Sequence, residues 1–272
     1  MSRAKERRTV RERDHTGTDT SLTKALTPTQ MKRLEKALRR MGEEEEKIMT
    51  IKTEIGSDIA QLTRICFRFF APVYDRHMEK TGHYRALREA LDAFIIKRQI
   101  AGSLLDVSCG TGEALLHVSD FLNSLKIDVT ANDFTPEMLD IAKLKLAGFL
   151  RNVTFTSSDI RTLPSEVQYE TVLCSYSMHD MPSPKDGPIQ RMVAAVKLGG
   201  RLVSIEEWPC AVTNSEHLTT AVQSLLRLSE TPIERTMLRA LYEKYGLEHV
   251  EDGSFKIDDN HFLYGTVYGK KG

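Results

Sequence analysis

The stretch LLDVSCGTGE, Leu104 to Glu113, constrains this chain more than any other. An apolar run ends on Asp106 and turns through Gly110 and Gly112, the pattern of a strand feeding a glycine-rich loop. A helix over Ala114 to Leu125 is expected next. Its free N–H groups, beside backbone that glycine lets approach closely, predict a small polar ligand on the loop. A dinucleotide fingerprint needs a third glycine after two more residues, and Glu113, Ala114 and Leu115 stand there instead. The carboxylates of Asp106 and Glu113 repel phosphate and suit a ligand with positive charge or ribose hydroxyls.

Further strands follow at regular intervals. Ile127, Val129 and Ala131 alternate as a strand ending at Asn132 and Asp133, about twenty residues beyond Gly112, a separation that one crossover helix fills. Asp133 to Lys143 continues as a helix with Pro136 near its first turn. Val153 to Phe155 is a short strand leading to Asp159 and Ile160. Glu170 to Ser175 reads as a buried strand running into YSMHDMP, and Val196 to Ile205 as another, after a helix that starts near Pro188.

In this order the segments resemble the motifs of class I S-adenosylmethionine-dependent methyltransferases: an acid before a G-x-G turn, the DFTPEML segment, the SSDI segment and the V-K-x-G-G-x-L turn, here VKLGGRL. Ser108 stands where the family usually has its first glycine. RFFAPVYDRHMEKTGHYRALREAL, Arg68 to Leu91, resembles the A-x-x-Y-D segment of the ubiquinone and menaquinone C-methyltransferase group and related small-molecule methyltransferases. The resemblance runs from about Phe70 to Tyr268.

It implies an α/β fold, a seven-stranded mostly parallel sheet with helices on both faces, preceded by an N-terminal helical extension. It implies S-adenosylmethionine as cofactor, held by Tyr74, Asp106, Ser108, Gly110, Gly112, Asp133, Phe134, Met138, Asp159, Ile160 and Ser175. In that shell Asp133 accepts the ribose hydroxyls, Phe134 lies beside the adenine, Asp159 accepts from the adenine amino group and Ile160 packs on the ring. Tyr74 closes the pocket; on its residues alone it is equally a core tyrosine whose hydroxyl reaches the surface.

Methyl transfer from a sulfonium is an in-line displacement in which positioning and water exclusion suffice for many acceptors. Where a proton acceptor is needed, His179 after strand four is the candidate base, with Asp180 to orient it. The bland alternative makes both polar loop residues, one of them capping the helix after Pro184. The quinone enzymes usually have Arg-Asn where His179-Asp180 stand here, a mismatch for a quinone ring. CSYSMHDMP lacks the D/N-P-P-aromatic motif of exocyclic base methylation. Adjacent Glu206 and Glu207 on a strand point to opposite faces with no third ligand in view, so no metal is predicted.

Lys plus Arg and Asp plus Glu number 38 each, which leaves no global basic field to favour nucleic acid. Cys66, Cys109, Cys174 and Cys210 have neither paired nor metal-ligand spacing. With no secretory h-region and no apolar run long enough to span a bilayer, a reduced, cytoplasmic protein is expected.

Residues 1–26 read as a flexible charged arm, either a solvated tail or a contact for an acidic partner or RNA. Residues 27–70 read as a helical extension or cap. Thr27, Pro28 and Gln30 form a capping box, and apolar stripes run through Met31, Leu34, Leu38 and Met41, then through Ile48, Ile51, Ile55, Ile59 and Leu62. These faces pack on the chain's own catalytic domain or serve a homodimer or protein partner. Residues 71–272 read as the methyltransferase domain. It ends in a helix opened by a capping box at Thr231, Pro232 and Glu234, then strands over Leu247 to Ile257 and His261 to Tyr268.

The function so expected is methyl transfer to a small-molecule or lipid-like acceptor at oxygen, nitrogen or carbon. The alternatives are a methyltransferase-fold binding or assembly factor that uses its N-terminal helices, and a protein or RNA methyltransferase recruited by the basic arm.

Overall fold

The computed structural model describes residues 26–58, 60–164, 166–181, 185–208, 220–229 and 233–272. The charged arm before residue 26, Ile59, Pro184, Cys210 and the Thr231–Pro232 half of the anticipated capping box lie outside them.

Seven strands form one sheet in the order β3-β2-β1-β4-β5-β7-β6. They are β1 (Ser103–Asp106), β2 (Asp128–Asn132), β3 (Val153–Thr156), β4 (Tyr169–Ser175), β5 (Val196–Trp208), β6 (Leu247–Lys256) and β7 (Phe262–Lys270). The first five run parallel, and β7 lies antiparallel between β5 and β6. In β1 and β4 the middle residues Leu104, Leu105, Val172 and Leu173 are all buried, as expected of central strands covered on both faces. β6 alternates buried or half-buried with exposed positions and forms the edge.

One face is covered by α4 (His83–Leu91), α5 (Glu113–His117), α6 (Ser119–Ser124) and α7 (Pro136–Leu146), whose apolar residues share a core with Val203, Ile205 and Val267. The other carries α8 (Asp186–Ala195) and α10 (Arg235–Lys244), packed on Val172, Cys174 and Leu202. Gly253 and Gly265 pair across β6 and β7, and their missing side chains make the notch that seats Phe94: a Cβ at Gly265 would lie 2.1 Å from its ring. Neither glycine has a positive φ, so close approach is the reason for both.

A third apolar cluster lies in the N-terminal helices α1 (Pro28–Arg40), α2 (Glu45–Ser57) and α3 (Ala60–Lys80). The Thr27 hydroxyl accepts from Gln30 N while the Gln30 side chain accepts from Thr27 N, so the capping box is formed. Leu34, Leu38, Ile48, Ile51 and Ile55 are buried against Leu62, Ile65, Cys66 and Phe70 of α3. Ala221, Val222 and Leu226 of α9 (Thr220–Ser229), which follows β5 in sequence, complete the cluster. The chain thus builds one cap from two distant segments. Residue 70, where the sequence divides cap from core, falls inside α3, which runs unbroken from the cap to the ligand cleft.

Two segments differ from their sequence expectation. The helix expected over Ala114 to Leu125 is two, interrupted at Val118 (φ −97°, ψ 7°); the apolar spacing continues across the break because Val118 itself is buried, so no turn residue marks it. β5 runs on to Trp208, because its last residues pair with Phe262 to Tyr264 of β7. Among the described residues no helix is long and apolar enough to cross a membrane.

Candidate functional site

A cleft opens over the carboxyl ends of β1, β2 and β4, where the parallel strand order reverses. Its floor is the loop after β1. Gly110 and Gly112 adopt φ +52° and +82°, left-handed values that other residues rarely take. A Cβ at Gly110 would meet nothing within 4 Å, so this glycine faces open space; one at Gly112 would lie 3.1 Å from Leu146, so that glycine lets α7 come close.

Backbone and side chains lock the loop. Cys109 N donates to Asn132 O (2.8 Å) and Gly110 N donates to Asp133 Oδ2 (2.8 Å), while Thr135 N donates to Asp133 Oδ1 (2.8 Å). Each oxygen of Asp133 therefore takes one backbone N–H, which fixes the carboxylate and leaves lone pairs for a ligand. Burial pushes its pKa up to about 6 even against those hydrogen bonds. Asn132 donates to Val107 O and Ser158 O (3.0 Å each) and accepts from Thr156 and Ser158, stitching the ends of β1, β2 and β3. Sequence reading passed over Asn132, since only the folded chain brings those loops together.

Asp106 is fully buried. Its Oδ1 takes one long bond from Ser108 N (3.4 Å), and Oδ2 has no hydrogen-bond partner. Burial, with Asp133 adding, pushes its pKa up to about 7. Because the folded pKa lies above the unfolded value, the native state binds the extra proton between about pH 4 and 7. The stability this carboxyl contributes is complete below about pH 4 and is lost as pH rises through about 7. Asp106→Asn should therefore flatten the fall in stability of the ligand-free protein between about pH 4 and 7 and leave it more stable than the wild type at the upper end. Urea unfolding at a series of pH values checks this; an unchanged slope counts against it.

Tyr74, Ser108, Gly110, Asp133, Phe134, Met138, Asp159, Ile160 and Ser175 line the cleft. Asp106 and Gly112 lie behind its floor. The Asp159 carboxylate accepts from Arg161 N (2.8 Å) and pairs with the Arg161 guanidinium, which reaches on to Asp58 Oδ2 (2.5 Å) between α2 and α3. Arg161 so ties the cap to the loop after β3. Thr63 Oγ1 of α3 donates to Asp180 O (2.8 Å), a second tie, and Thr63 and Phe67 line the roof. No local pattern in the sequence could place these α3 residues there.

Tyr74 packs edge-on against Phe70 at 5.0 Å, and burial, with Asp180, Asp133, Asp75 and Glu207 adding, raises its pKa far enough to keep the phenol neutral. Asp75 serves the loop from outside: it accepts from Thr111, from Tyr84 OH (2.5 Å) and from Lys145 Nζ (2.6 Å).

After β4 the chain turns at Tyr176, whose φ of +52° is strained for a bulky residue. Tyr176 N donates to Ile205 O (2.9 Å) and its hydroxyl to His83 O (3.1 Å), holding it from both ends. The turn separates the two catalytic candidates: Asp180 lines the cleft, whereas His179 lines a second cavity beside α10. They meet between the cavities, with His179 Nε2 3.2 Å from Asp180 Oδ2 and His179 Nδ1 3.3 Å from Glu206 Oε2. Glu206 and Glu207 go to different partners, the second to His83 Nε2 at 3.4 Å.

Residues 104–200 match the family described as a methyltransferase domain. A demethylmenaquinone methyltransferase of Deinococcus radiodurans is 27% identical over 157 residues, 57% of this chain; the chain spans 64% of that relative's length. Among solved structures, a complex of DhpI with S-adenosylhomocysteine superposes with a TM-score of 0.55 at 21% identity, over 78% of this chain and 97% of that one. Magnesium protoporphyrin IX methyltransferase from Synechocystis PCC 6803, with bound S-adenosylhomocysteine, gives 0.54 at 14% identity, over 70% of this chain and 84% of that one. At such identities the superpositions establish the fold.

Proposed function

We infer, from the premise that this chain belongs to the class I S-adenosylmethionine-dependent methyltransferases, that it transfers a methyl group from S-adenosylmethionine to a small-molecule acceptor. One observation carries the reading: the cleft places a fixed ribose-type acceptor, Asp133, whose two oxygens are each held by a backbone N–H, beside Gly110, a glycine that faces open space. An adenosyl group supplies the hydroxyls that such a carboxylate accepts, and the glycine leaves room for the rest of the ligand to lie against the backbone.

The residues present fit that cofactor. Asp133 would hold the ribose hydroxyls, Phe134, Met138 and Ile160 would flank the adenine, and Asp159, already braced by Arg161, would stand at its amino edge. Ser108, Gly110 and Ser175 would line the amino-acid end, and Tyr74 would cover it as a neutral phenol. When bound, S-adenosylmethionine supplies a methyl group already activated on a sulfonium. The protein's share is orientation and dryness: α3 roofs the cleft, and the Arg161 and Thr63 ties hold the roof to the sheet.

His179 and Asp180 act as a positioning pair in this reading. With Nε2 facing Asp180 and Nδ1 facing Glu206, His179 bridges the two carboxylates, and Asp180 is the member of the pair that lies at the cleft. A small acceptor is supported by the similarity to a demethylmenaquinone methyltransferase and by the balanced charge of the chain.

The test is partition of label. After incubation with methyl-labelled S-adenosylmethionine, the label should enter the small-molecule fraction of a cell extract and leave protein and RNA unlabelled. Label in protein or RNA would favour those acceptors, and tight cofactor binding with no transfer to any fraction would favour a binding or assembly factor.

A further inference from the structure

Among the described residues lining the cleft, the charged ones are Asp133, Asp159, Arg161 and Asp180. Asp133 stands at the ribose position. The Arg161 guanidinium is engaged on both sides, by Asp159 Oδ2 (2.9 Å to Nε) and by Asp58 Oδ2 (2.5 Å to an Nη). Once the cofactor residues are assigned, the charge that is left belongs to Asp180, and it is negative.

Asp180 is 7% exposed, and its Oδ2 faces His179 Nε2 at 3.2 Å. Among the described residues no hydrogen bond reaches the other oxygen, Oδ1, and no lysine or arginine pairs with the carboxylate. Lys185 Nζ, on the nearest lysine in sequence, turns instead to Met178 O and to Met181 O (2.7 Å). Unlike Asp106 Oδ2, Asp180 Oδ1 is not sealed from water, and the space its residue lines is the cleft. The Thr63 hydroxyl donates to Asp180 O and so fixes the residue beneath α3. An ionised carboxylate oxygen only accepts, and its bond is strongest when the donor carries a positive charge.

Aromatic rings line the same part of the cleft. Ala60, Thr63, Phe67 and Tyr74 follow one another at three, four and seven residues, so one face of α3 looks into it. The Phe67 and Tyr74 ring centroids are 6.3 Å apart, edge to face. A cation is attracted within about 6 Å of a ring centroid, so a single cation can reach both rings. Tyr176, at the end of β4, adds a third ring, anchored by its hydroxyl to His83 O (3.1 Å). After burial, Asp180 contributes most to raising the Tyr74 pKa, so its charge acts at that phenol.

Given the methyltransferase reading above, on which this rests, we propose that the methyl acceptor sits between α3 and the loop after β4, and that it is a compact primary or secondary amine. Asp180 Oδ1 and the rings of Phe67, Tyr74 and Tyr176 hold it as its ammonium. For transfer, the acceptor nitrogen gives up one proton to bulk water and its lone pair forms the N–C bond to the methyl group. The C–S bond breaks with its electron pair passing to sulfur, which leaves an N-methylammonium and S-adenosylhomocysteine. A neutral hydroxyl or ring carbon would leave the negative wall and the ring faces without a charge to meet.

The full-length protein, saturated with S-adenosylhomocysteine, is titrated by calorimetry with phenethylamine and with phenethyl alcohol, which share a skeleton and differ in charge. The amine should bind at least about tenfold more tightly, as one hydrogen bond between charged groups provides. Asp180→Asn, which keeps the size of the side chain, should bring the two probes to within about twofold of each other. Phe67→Leu should weaken the amine about 2- to 30-fold and the alcohol less, and it decides the matter even if Asp180→Asn fails to fold. Both variants should keep S-adenosylhomocysteine affinity within about twofold. The labelled product formed in a cell extract should be retained by a cation exchanger at neutral pH.

Equal binding of the alcohol, no binding of the amine, a preference that survives in either variant, or a labelled product that passes through the exchanger would overturn the proposal. So would an Asp180→Asn protein that loses S-adenosylmethionine but not S-adenosylhomocysteine affinity and keeps its amine preference, since Asp180 would then serve the sulfonium. Failure of S-adenosylhomocysteine to bind would instead strike the methyltransferase reading, and the two probes titrated into the free protein would still decide the amine subsite.

Discussion

Deleting residues 1–57 is expected to give a protein that aggregates or no longer unfolds cooperatively, whereas deleting residues 1–25 should leave stability and ligand binding unchanged. The longer cut removes α1 and α2, in which Leu34, Leu38, Ile48, Ile51 and Ile55 are each no more than 2% exposed. Full burial of one such side chain contributes about 1.5 to 3 kcal/mol, and even after the entropy of ordering two helices is set against it, the sum rivals the roughly 5 to 15 kcal/mol by which a domain is stable. The cut also bares Leu62, Ile65, Cys66 and Phe70 of α3 with Ala221, Val222 and Leu226 of α9, a contiguous apolar face on the helix that roofs the cleft. The shorter cut removes a segment too poor in apolar side chains to contribute a core. Size-exclusion chromatography and thermal unfolding of both truncations distinguish these outcomes. A soluble, equally stable protein lacking 1–57 would mean that the helices serve a partner rather than this chain.

The sheet was legible because its signals are local. Apolar runs ending in acids, separated by helix-length spacers, set the parallel strands, and the turn residues Asp258 to Asn260 marked the final hairpin. The capping box at Thr27 was readable for the same reason, since all its partners lie within four residues. What escaped the sequence depends on distant chain. The cap is built from α1 to α3 and from α9, which begins 140 residues after α3 ends, and nothing in either segment names the other. Likewise, His179 and Asp180 are adjacent, yet which of them faces the cleft is set by the left-handed turn at Tyr176, a residue that gives no sequence sign of a positive φ. Arg161, two residues beyond Asp159, is a local pair, but its reach to Asp58 appears only once the cap is folded over the loop.

The central claim is that the cleft over β1, β2 and β4 binds S-adenosylmethionine through Asp133, and isothermal titration calorimetry on the full chain tests it most directly. Both S-adenosylmethionine and S-adenosylhomocysteine should bind the wild-type protein in the micromolar range, on the order of 7 to 8 kcal/mol. Asp133→Ala removes the acceptor for the ribose hydroxyls and frees Gly110 N and Thr135 N, the two donors that fix the loop. Both ligands should then lose about 1 to 3 kcal/mol, roughly a 5- to 150-fold weakening. Asp133→Asn keeps a backbone acceptor in place and should fall between the two, which separates loss of the ribose contact from collapse of the loop. Absence of binding of either ligand to the well-folded wild type, or an Asp133→Ala protein that binds both as tightly as the wild type, would contradict the claim.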